Sequence, residues 1–388
     1  MKNVRINEKA LMAAILAAFI ITATILTMVT TINRNQNIYP LVSLYPQGIS
    51  GSNTVIQSKM EIGENFDFEG NISETIVVTA DNIVIDGHGY YLIGPENGTG
   101  TGFNLTNRKN VTIKNVIVTG WQYGFYLNNG QNNTLTNNAA TNNNVGFYLH
   151  YSNNNTLSGN NANNNWDGFH LHYSSNNTLS DNNATNNNWY GFYLHYSNNN
   201  TLSSNFALNN TEQGYKWENS IDNDFMGSLE SYYLRVRVAN AQGNPITCAH
   251  IKVETDGVIL YATSYFGGTD STTDSNGLTP WIIVPYGIFT TNDTMTYYNN
   301  IVTVWYSSLL EVAVFSNNPR TVNMSNSHME NFIVASWQFT TTAMMLPVSF
   351  LVATRGGISP LIFIAPGVIS VLATVVIYYF RKARKKVS

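Results

Sequence analysis

The sequence is poor in charge and has almost no cysteine. Charged residues make up 11% of its 388 residues, less than half of the roughly 25% that is usual in soluble globular domains. The single cysteine, Cys248, excludes an intrachain disulfide, a CxxC redox pair and a cysteine zinc site. No lysine or arginine occurs between Lys114 and Lys216, and nearly half of the basic residues lie near the two termini. Because nucleic-acid binding needs clustered cations, the sequence predicts that no nucleic acid is a partner.

Long uncharged apolar runs occur near both ends of the chain. Residues 10–32 and residues 359–380 are each long enough to cross a membrane as a helix. The basic stretches 1–9 and 381–388 flank them, and by the positive-inside rule both would lie in the cytoplasm. The first run is either an uncleaved transmembrane anchor (a signal anchor) or a cleaved signal peptide, and its length favours the anchor. We therefore expect a two-pass cell-membrane protein whose large domain is extracellular, with the membrane as a partner.

N-x-S/T triplets that could accept N-linked glycans would suit an extracellular location. An asparagine-rich sequence also produces such triplets by chance. The candidate acceptors are Asn71, Asn97, Asn104, Asn110, Asn132, Asn154, Asn176, Asn183, Asn199, Asn209, Asn292 and Asn323.

A repeat of 22 to 23 residues occupies the middle of the chain. A second phrase, Asn-Thr-Leu, recurs in the same register, so each unit holds two short extended segments separated by asparagine-rich turns. Self-similarity of this length is typical of a solenoid. Asparagine, glycine and β-branched residues disfavour helix, and the frame of leucine-rich repeats is missing, which leaves a parallel β-helix with one coil per unit. The main phrase, Gly-Phe-Tyr-Leu or a variant of it, begins at Gly102, Gly124, Gly146, Gly168, Gly191 and Gly214.

Alternation along the repeated strand assigns its side chains to two faces. The Phe and Leu of each phrase are its only consistently apolar pair, so we expect them to stack inside the solenoid. Disorder is the alternative for so asparagine-rich a tract, but the strict register of Phe, Leu and Gly favours ordered coils with asparagine ladders and left-handed turns. The outward positions hold Tyr126, Tyr148, His170 and Tyr193 in one row and His150, His172 and His195 in a second.

Three phrases carry a family resemblance: NIVIDGHGYYLIG at 82–94, NVTIKNVIVTGW at 110–121, and the later NNTLSxN units. They resemble the repeats of the NosD-like periplasmic copper-binding family, and are similar to archaeal-type surface proteins that carry this module. The resemblance covers residues 55–226 and implies a right-handed parallel β-helix. It says little about activity, because the module also occurs in carbohydrate-binding proteins, lyases and epimerases.

Residues 230–333 have a different pattern, with alternating runs such as YYLRVRV and IVTVWY separated by turn residues. The segments around Gly243 and Thr273 are similar to a carboxypeptidase-regulatory-like or immunoglobulin-like β-sandwich, and several short strands with regular turns fit that fold. The predicted fold class is therefore all-β: a right-handed parallel β-helix with coils of about 22 residues, then a β-sandwich, with flanking transmembrane helices.

The outward rows offer two kinds of binding site. Flat aromatic rings beside asparagine amides suit a glycan, with Tyr126, Tyr148, His170 and Tyr193 as the contact row and with Trp121, Trp166 and Trp189 at its rim. Histidines repeated in register suit copper or zinc instead, or are simply copied by duplication, with copper as the candidate cofactor. The candidate metal ligands are His150, His170, His172 and His195.

Catalysis is the third alternative, and no catalytic residues are assigned. Lyases, epimerases and hydrolases of polysaccharides need acidic or basic groups that converge, whereas Asp86, Asp167 and Asp181 occur singly in different turn positions. We attribute the phrase Asp86-Gly-His88-Gly to the fold of the first coil. The sequence thus predicts a cell-surface protein for envelope structure or recognition, with a surface polysaccharide or other envelope proteins as partners. Metal handling and polysaccharide cleavage or epimerisation remain as alternatives.

Overall fold

The structure is a computed structural model that describes residues 58–95, 98–290, 294–308, 311–339, 350–354 and 357–361. Nearly every regular element in these ranges is a β-strand, and the one helical element among them is a 3₁₀ turn at Ser264–Phe266. The all-β prediction is therefore confirmed for the part of the chain that is described.

The strands of residues 59–218 form three parallel sheets that wind around one core. The first sheet contains β1 (Lys59–Ile62), β3 (Thr75–Val78), β6 (Thr101–Asn104), β9 (Tyr123–Asn128), β12 (Val145–His150), β15 (Asp167–His172), β18 (Tyr190–His195) and β21 (Gln213–Glu218). The second contains β2 (Phe66–Asp67), β4 (Val84–Asp86), β7 (Thr112–Lys114), β10 (Thr134–Thr136), β13 (Thr156–Ser158), β16 (Thr178–Ser180) and β19 (Thr201–Ser203). The third begins with β5 (Tyr91–Ile93), β8 (Ile117–Thr119), β11 (Ala139–Thr141), β14 (Asn161–Asn163), β17 (Asn183–Thr185) and β20 (Phe206–Leu208).

Neighbouring strands within a sheet are one repeat apart in sequence. In the first sheet Tyr148 pairs with His170, and His170 pairs with Tyr193. Each repeat therefore makes one turn of the solenoid, and the chain forms a parallel β-helix of the right-handed type with about seven coils.

The core of the β-helix consists of equivalent side chains stacked from coil to coil. Phe125, Phe147 and Phe169 are fully buried, and their ring centroids lie 4.7 Å apart with the planes within 5° of parallel. The second sheet contributes leucines such as Leu157, and the third contributes alanines such as Ala162. Large and small side chains thus complement each other across the core, and the predicted inward placing of Phe and Leu is confirmed.

Buried asparagines also form rows along the axis, at the corners between sheets. In one row the Nδ2 of Asn155 donates to the Oδ1 of Asn177, and that of Asn177 donates to Asn200, both at 3.1 Å. The same Oδ1 atoms accept the backbone N–H of the preceding asparagine. The predicted ladders are confirmed, and the structure places them inside the fold. The rows are Asn133, Asn155, Asn177, Asn200 and Asn223; Asn138, Asn160, Asn182 and Asn205; and Asn143, Asn165, Asn187 and Asn210.

The third sheet of the β-helix continues into a C-terminal unit. Strand β22 (Leu229–Ala239) pairs in parallel with β20 on one side and pairs with β25 (Ile282–Phe289) and β30 (His328–Phe339) along its length. Strands β26 (Met295–Tyr297) and β28 (Glu311–Phe315) extend these pairings. A separate antiparallel sheet contains β23 (His250–Thr255), β24 (Val258–Ala262), β27 (Asn300–Trp305) and β29 (Arg320–Val322).

The C-terminal unit has its own core. Buried side chains of β22, among them Leu234 and Val236, belong to one cluster with Ile251 and Val253 of β23 and Val302 of β27. Two groups of strands therefore share this second core. Whether the unit is an immunoglobulin-like or carboxypeptidase-regulatory-like sandwich stays a prediction.

The predicted cell-membrane localisation is wrong for the described residues: they contain no helix that is both long and apolar enough to cross a membrane. The predicted span 359–380 begins inside strand β32 (Gly357–Leu361), which pairs with β31 (Phe350–Thr354). Its first residues are therefore extended rather than helical. Residues 1–9, 10–32, 362–380 and 381–388 lie outside the described residues.

Candidate functional site

The outward side of the first sheet carries two rows of polar and aromatic side chains, which we call the aromatic face. Strand pairing places the members of each row on successive coils. The first row is Asn104, Tyr126, Tyr148, His170, Tyr193 and Lys216. The second row is Asn128, His150, His172, His195 and Glu218.

The first row is a continuous stack of half-buried rings. Ring centroids are 5.6 Å apart for Tyr126 and Tyr148, 5.1 Å for Tyr148 and His170, and 4.5 Å for His170 and Tyr193. Because each ring lies against its neighbours, ring edges and hydroxyl groups make up the accessible part. Burial, followed by the neighbouring tyrosines, raises the pKa of Tyr148 to about 12, so its hydroxyl keeps its proton at neutral pH.

One coil departs from the repeat at two positions that contact each other. Position 167 is aspartate where strands β9, β12 and β18 of the central coils start with tyrosine or valine, and position 170 is histidine where these strands have tyrosine. The buried Asp167 has its Oδ2 3.3 Å from Nδ1 of His170. The Nε2 of His170 is buried and has no hydrogen-bond partner. Asp167 was predicted to be an isolated turn residue. Two residues that differ from the repeat within one coil were the sequence signal that could have revealed this pair.

The histidines of the second row stack face to face. The ring centroids of His150 and His172 are 5.3 Å apart, and those of His172 and His195 are 5.0 Å apart with planes 6° from parallel. Burial, and then repulsion from neighbouring imidazoles, lowers the pKa of His150 and of His172. Since nitrogen lone pairs lie in the ring planes, the nearly parallel rings of His172 and His195 do not direct them at one shared ion. The copper or zinc site on His150, His170, His172 and His195 stays a prediction.

A third row, which the sequence analysis missed, borders the histidines. Tyr151, Tyr173 and Tyr196 are 49%, 40% and 42% exposed, and their rings stack with centroids 5.1 and 4.9 Å apart. All three have φ of 48–49°, in the left-handed region that bulky residues avoid. The equivalent residues of adjoining coils, Asn129 and Asn219, are asparagines. We call these three residues the tyrosine corner.

Two tryptophans lie at the start of the same strands, on the opposite margin. Trp166 and Trp189 are 42% and 51% exposed, and their centroids are 5.5 Å apart at an angle of 33°. They therefore occupy the predicted rim position. Trp121 lies one residue earlier in its repeat, at the position that the ladder residues Asn143 and Asn165 occupy in the next coils. It is fully buried and donates its Nε1–H to the carbonyl oxygen of Leu92 at 3.2 Å, so it belongs to the core and not to the rim.

A group of potential metal ligands lies in the first coils rather than on the histidine row. Among the described residues, Asp67, Asp86 and His88 bring one ligand atom each within 4.8 Å of the others. The Nζ of Lys114 is 2.9 Å from Oδ2 of Asp86, so a cation already compensates this carboxylate. Although burial opposes the shift, hydrogen bonds from the His88 N–H, Lys114 and Asn115 hold the pKa of Asp86 at about 2. The arrangement agrees with a structural role for the Asp-Gly-His phrase.

Most of the candidate glycan acceptors face solvent. Asn104 and Asn209 are half-buried and their side-chain oxygens accept hydrogen bonds, while Asn97 and Asn292 lie outside the described residues. Five exposed acceptors occupy one left-handed corner of successive coils, about 4.8 Å apart, so glycans on neighbours would crowd each other. That row is Asn110, Asn132, Asn154, Asn176 and Asn199.

A known protein family has repeats similar to those of this chain. The family model described as periplasmic copper-binding protein (NosD) matches residues 74–232. This match confirms the resemblance seen in the repeat phrases. A search of the curated proteins finds no match.

Several solved structures are similar to part of the chain. The periplasmic alginate epimerase AlgG is 18% identical with a TM-score of 0.32, over 47% of this chain and 54% of that one. The A-module of Azotobacter vinelandii mannuronan C-5 epimerase AlgE4 is 16% identical with a TM-score of 0.29, over 48% and 70%. Endopolygalacturonase I from Stereum purpureum is 13% identical with a TM-score of 0.26, over 45% and 87%. The chain spans about half the length of AlgG, and likeness at this level carries no information on activity.

Proposed function

We propose that the protein binds an extended, neutral polysaccharide through the aromatic face and the tyrosine corner. The observation that carries this proposal is the left-handed backbone of Tyr151, Tyr173 and Tyr196. A side chain with a Cβ costs roughly 1 kcal/mol there, and asparagine, which the adjoining coils use, is tolerated better. Folding therefore does not call for tyrosine at these positions, and strain of this kind concentrates at functional sites.

The chemistry of the surface suits carbohydrate. The stacked tyrosine rings offer apolar edges with polar tips, and hydroxyl, imidazole and amide groups supply both donors and acceptors for sugar hydroxyls. Equivalent groups recur on four successive coils, so a polymer lying along the axis meets the same contacts repeatedly. The repeating units of a polysaccharide could therefore each contact an equivalent set of side chains.

Charge favours a neutral polymer over a uronate. Lys216 is the one cation in the two rows of the aromatic face, and its Nζ lies 3.2 Å from Oε1 of Glu218. Glu218 also accepts a hydrogen bond from the Tyr193 hydroxyl at 3.0 Å. The cation is therefore already engaged, and sugar carboxylates would find no free partner among these rows.

Affinity electrophoresis with soluble neutral and uronic-acid polysaccharides tests the proposal. Changing Tyr173→Asn should weaken binding about tenfold and should raise thermal stability, because asparagine fits the left-handed backbone. The control is Tyr91→Asn, which removes an exposed tyrosine from the third sheet. Full affinity in the Tyr173→Asn protein, or an equal loss in the Tyr91→Asn protein, would contradict the proposal.

A second candidate function, a polysaccharide lyase, epimerase or hydrolase, is favoured by the Asp167–His170 pair alone. A buried carboxylate that orients an imidazole, beside the hydroxyls of Tyr148 and Tyr193, is suited to moving a proton. Asp167→Asn should then abolish the release of unsaturated or reducing sugars while leaving polysaccharide affinity within about twofold of the original protein. Binding without any product in the unmodified protein would eliminate this candidate.

The C-terminal unit has a supporting part in this proposal. Strand β22 continues the third sheet, so the unit covers the end of the β-helix where that sheet would otherwise have an open edge. We retain the predicted immunoglobulin-like sandwich for this unit as an expectation.

A further inference from the structure

A cavity of about 330 Å³ lies where the last coil meets the C-terminal unit. Strand β21 lines it with Tyr215 and Trp217, whose sequence neighbours Lys216 and Glu218 belong to the aromatic face. The cavity is therefore on the opposite side of that strand from the proposed polysaccharide site. Its volume is in the range of small-molecule sites.

Aromatic rings border the cavity at steep mutual angles. Tyr286 and Tyr297 have centroids 4.9 Å apart with planes at 52°, and Tyr232 and Tyr286 are 5.9 Å apart at 68°. On the side of the last coil, Trp217 and Phe289 are 5.9 Å apart at 64°. Rings inclined in this way surround a space from several directions, unlike the parallel stack of the aromatic face.

The charged residues that line the cavity are all acidic. Glu230 is 6% exposed, and its Oε1 accepts hydrogen bonds from the Gly214 N–H at 2.7 Å and the Tyr232 hydroxyl at 2.5 Å. Glu212 is exposed and also lines the cavity, and the described residues that line it include no lysine, arginine or histidine. The negative faces of several rings and two carboxyl groups therefore act on the same space.

We infer that this cavity binds a small organic cation, such as a quaternary ammonium or alkylamine group. Rings that surround a cation and a nearby carboxylate are the arrangement by which proteins hold such groups. A neutral ligand of the same shape would gain the apolar contacts without the attraction of the rings and the carboxyl groups. This inference does not depend on the proposed polysaccharide binding.

Calorimetric titration of the full chain with choline, and with its uncharged carbon isostere dimethylbutanol, tests the inference. Choline should bind with one-to-one stoichiometry and about tenfold more tightly than the isostere. Equal affinities, or the lack of saturable choline binding, would overturn it.

Two variants locate the site. Tyr297→Ala removes a ring that is 61% exposed, so the fold should persist while choline affinity falls about fivefold. Glu230→Gln keeps an acceptor for the Gly214 N–H. It should lower the affinity for choline but not the affinity for dimethylbutanol. Tyr91→Ala is the matched control on the β-helix, with unchanged choline affinity expected. Unchanged choline affinity in the Tyr297→Ala protein would refute the site even if the Glu230→Gln protein failed to fold.

Discussion

Replacing Asn160 by alanine removes one member of a buried asparagine ladder. Its Oδ1 accepts the backbone N–H of Asn138 at 2.9 Å and the Nδ2 of Asn138 at 3.1 Å. Its Nδ2 donates to the carbonyl oxygen of Leu135 at 2.8 Å and to the Oδ1 of Asn182 at 3.0 Å. Asn160 is fully buried, so water does not readily replace these bonds.

The expected loss of stability follows from those four hydrogen bonds. A buried N–H group left without an acceptor costs about 2 kcal/mol, and each of the other three bonds contributes about 1 kcal/mol. We expect Asn160→Ala to lower the free energy of unfolding by about 4–5 kcal/mol, a large share of the total stability of a domain.

Urea unfolding followed by circular dichroism measures this effect. The matched control is Asn161→Ala at the next residue, where the side chain faces solvent, and it should change stability by less than about 0.5 kcal/mol. If the two variants unfold within about 1 kcal/mol of each other, buried ladders do not stabilise the coils as argued here.

Three further predictions concern the same coils. Gly146→Ala should destabilise the protein by about 2 kcal/mol in thermal melts, because a Cβ there lies 2.7 Å from a carbonyl oxygen of the next coil. Burial and neighbouring imidazoles lower the pKa of His150 and His172. As the pH drops below 6.5, the unfolded chain therefore binds more protons than the folded protein, and the free energy of unfolding should fall. The fall should be less steep in the His172→Gln protein. Burial opposes ionisation of Asp86, but hydrogen bonds outweigh it and lower its pKa from 3.8 to about 2. The ionised carboxylate therefore adds stability above pH 3.8, and this stability is lost as the pH falls through 2. Lys114→Met should reduce this contribution in acid-unfolding titrations.

The repeat made the β-helix predictable because inside and outside alternate along each strand. Phe147 and Leu149 had to be buried once the coil was recognised, and Tyr148 and His150 then had to face outward. The ring spacing in the histidine row was also predictable from the distance between strands. The corners were less predictable, because a run of asparagines does not reveal which member is buried and which is left-handed.

Isolated residues and the ends of the chain were less predictable than the repeat. Trp121 also precedes a glycine, but it is part of the core because it occupies the inward position that Asn143 and Asn165 hold in the next coils, one residue before the position of Trp166. The uncharged run 359–380 is hydrophobic enough for a membrane helix, yet its first residues pair as a strand. Hydropathy alone does not distinguish those outcomes.

Each coil of a solenoid serves as a control for its neighbours. Across the central coils the interior keeps the same phenylalanines, leucines and ladder asparagines, because stacking in register needs identical shapes. Folding needs no tyrosine at positions 151, 173 and 196. The aspartate at 167 accepts the Tyr190 N–H of the next coil at 3.3 Å, whereas the histidine at 170 has a buried Nε2 without a partner. The residues that interior packing does not explain lie together on the first sheet and at its border. A binding role for this surface accounts for the strained tyrosines.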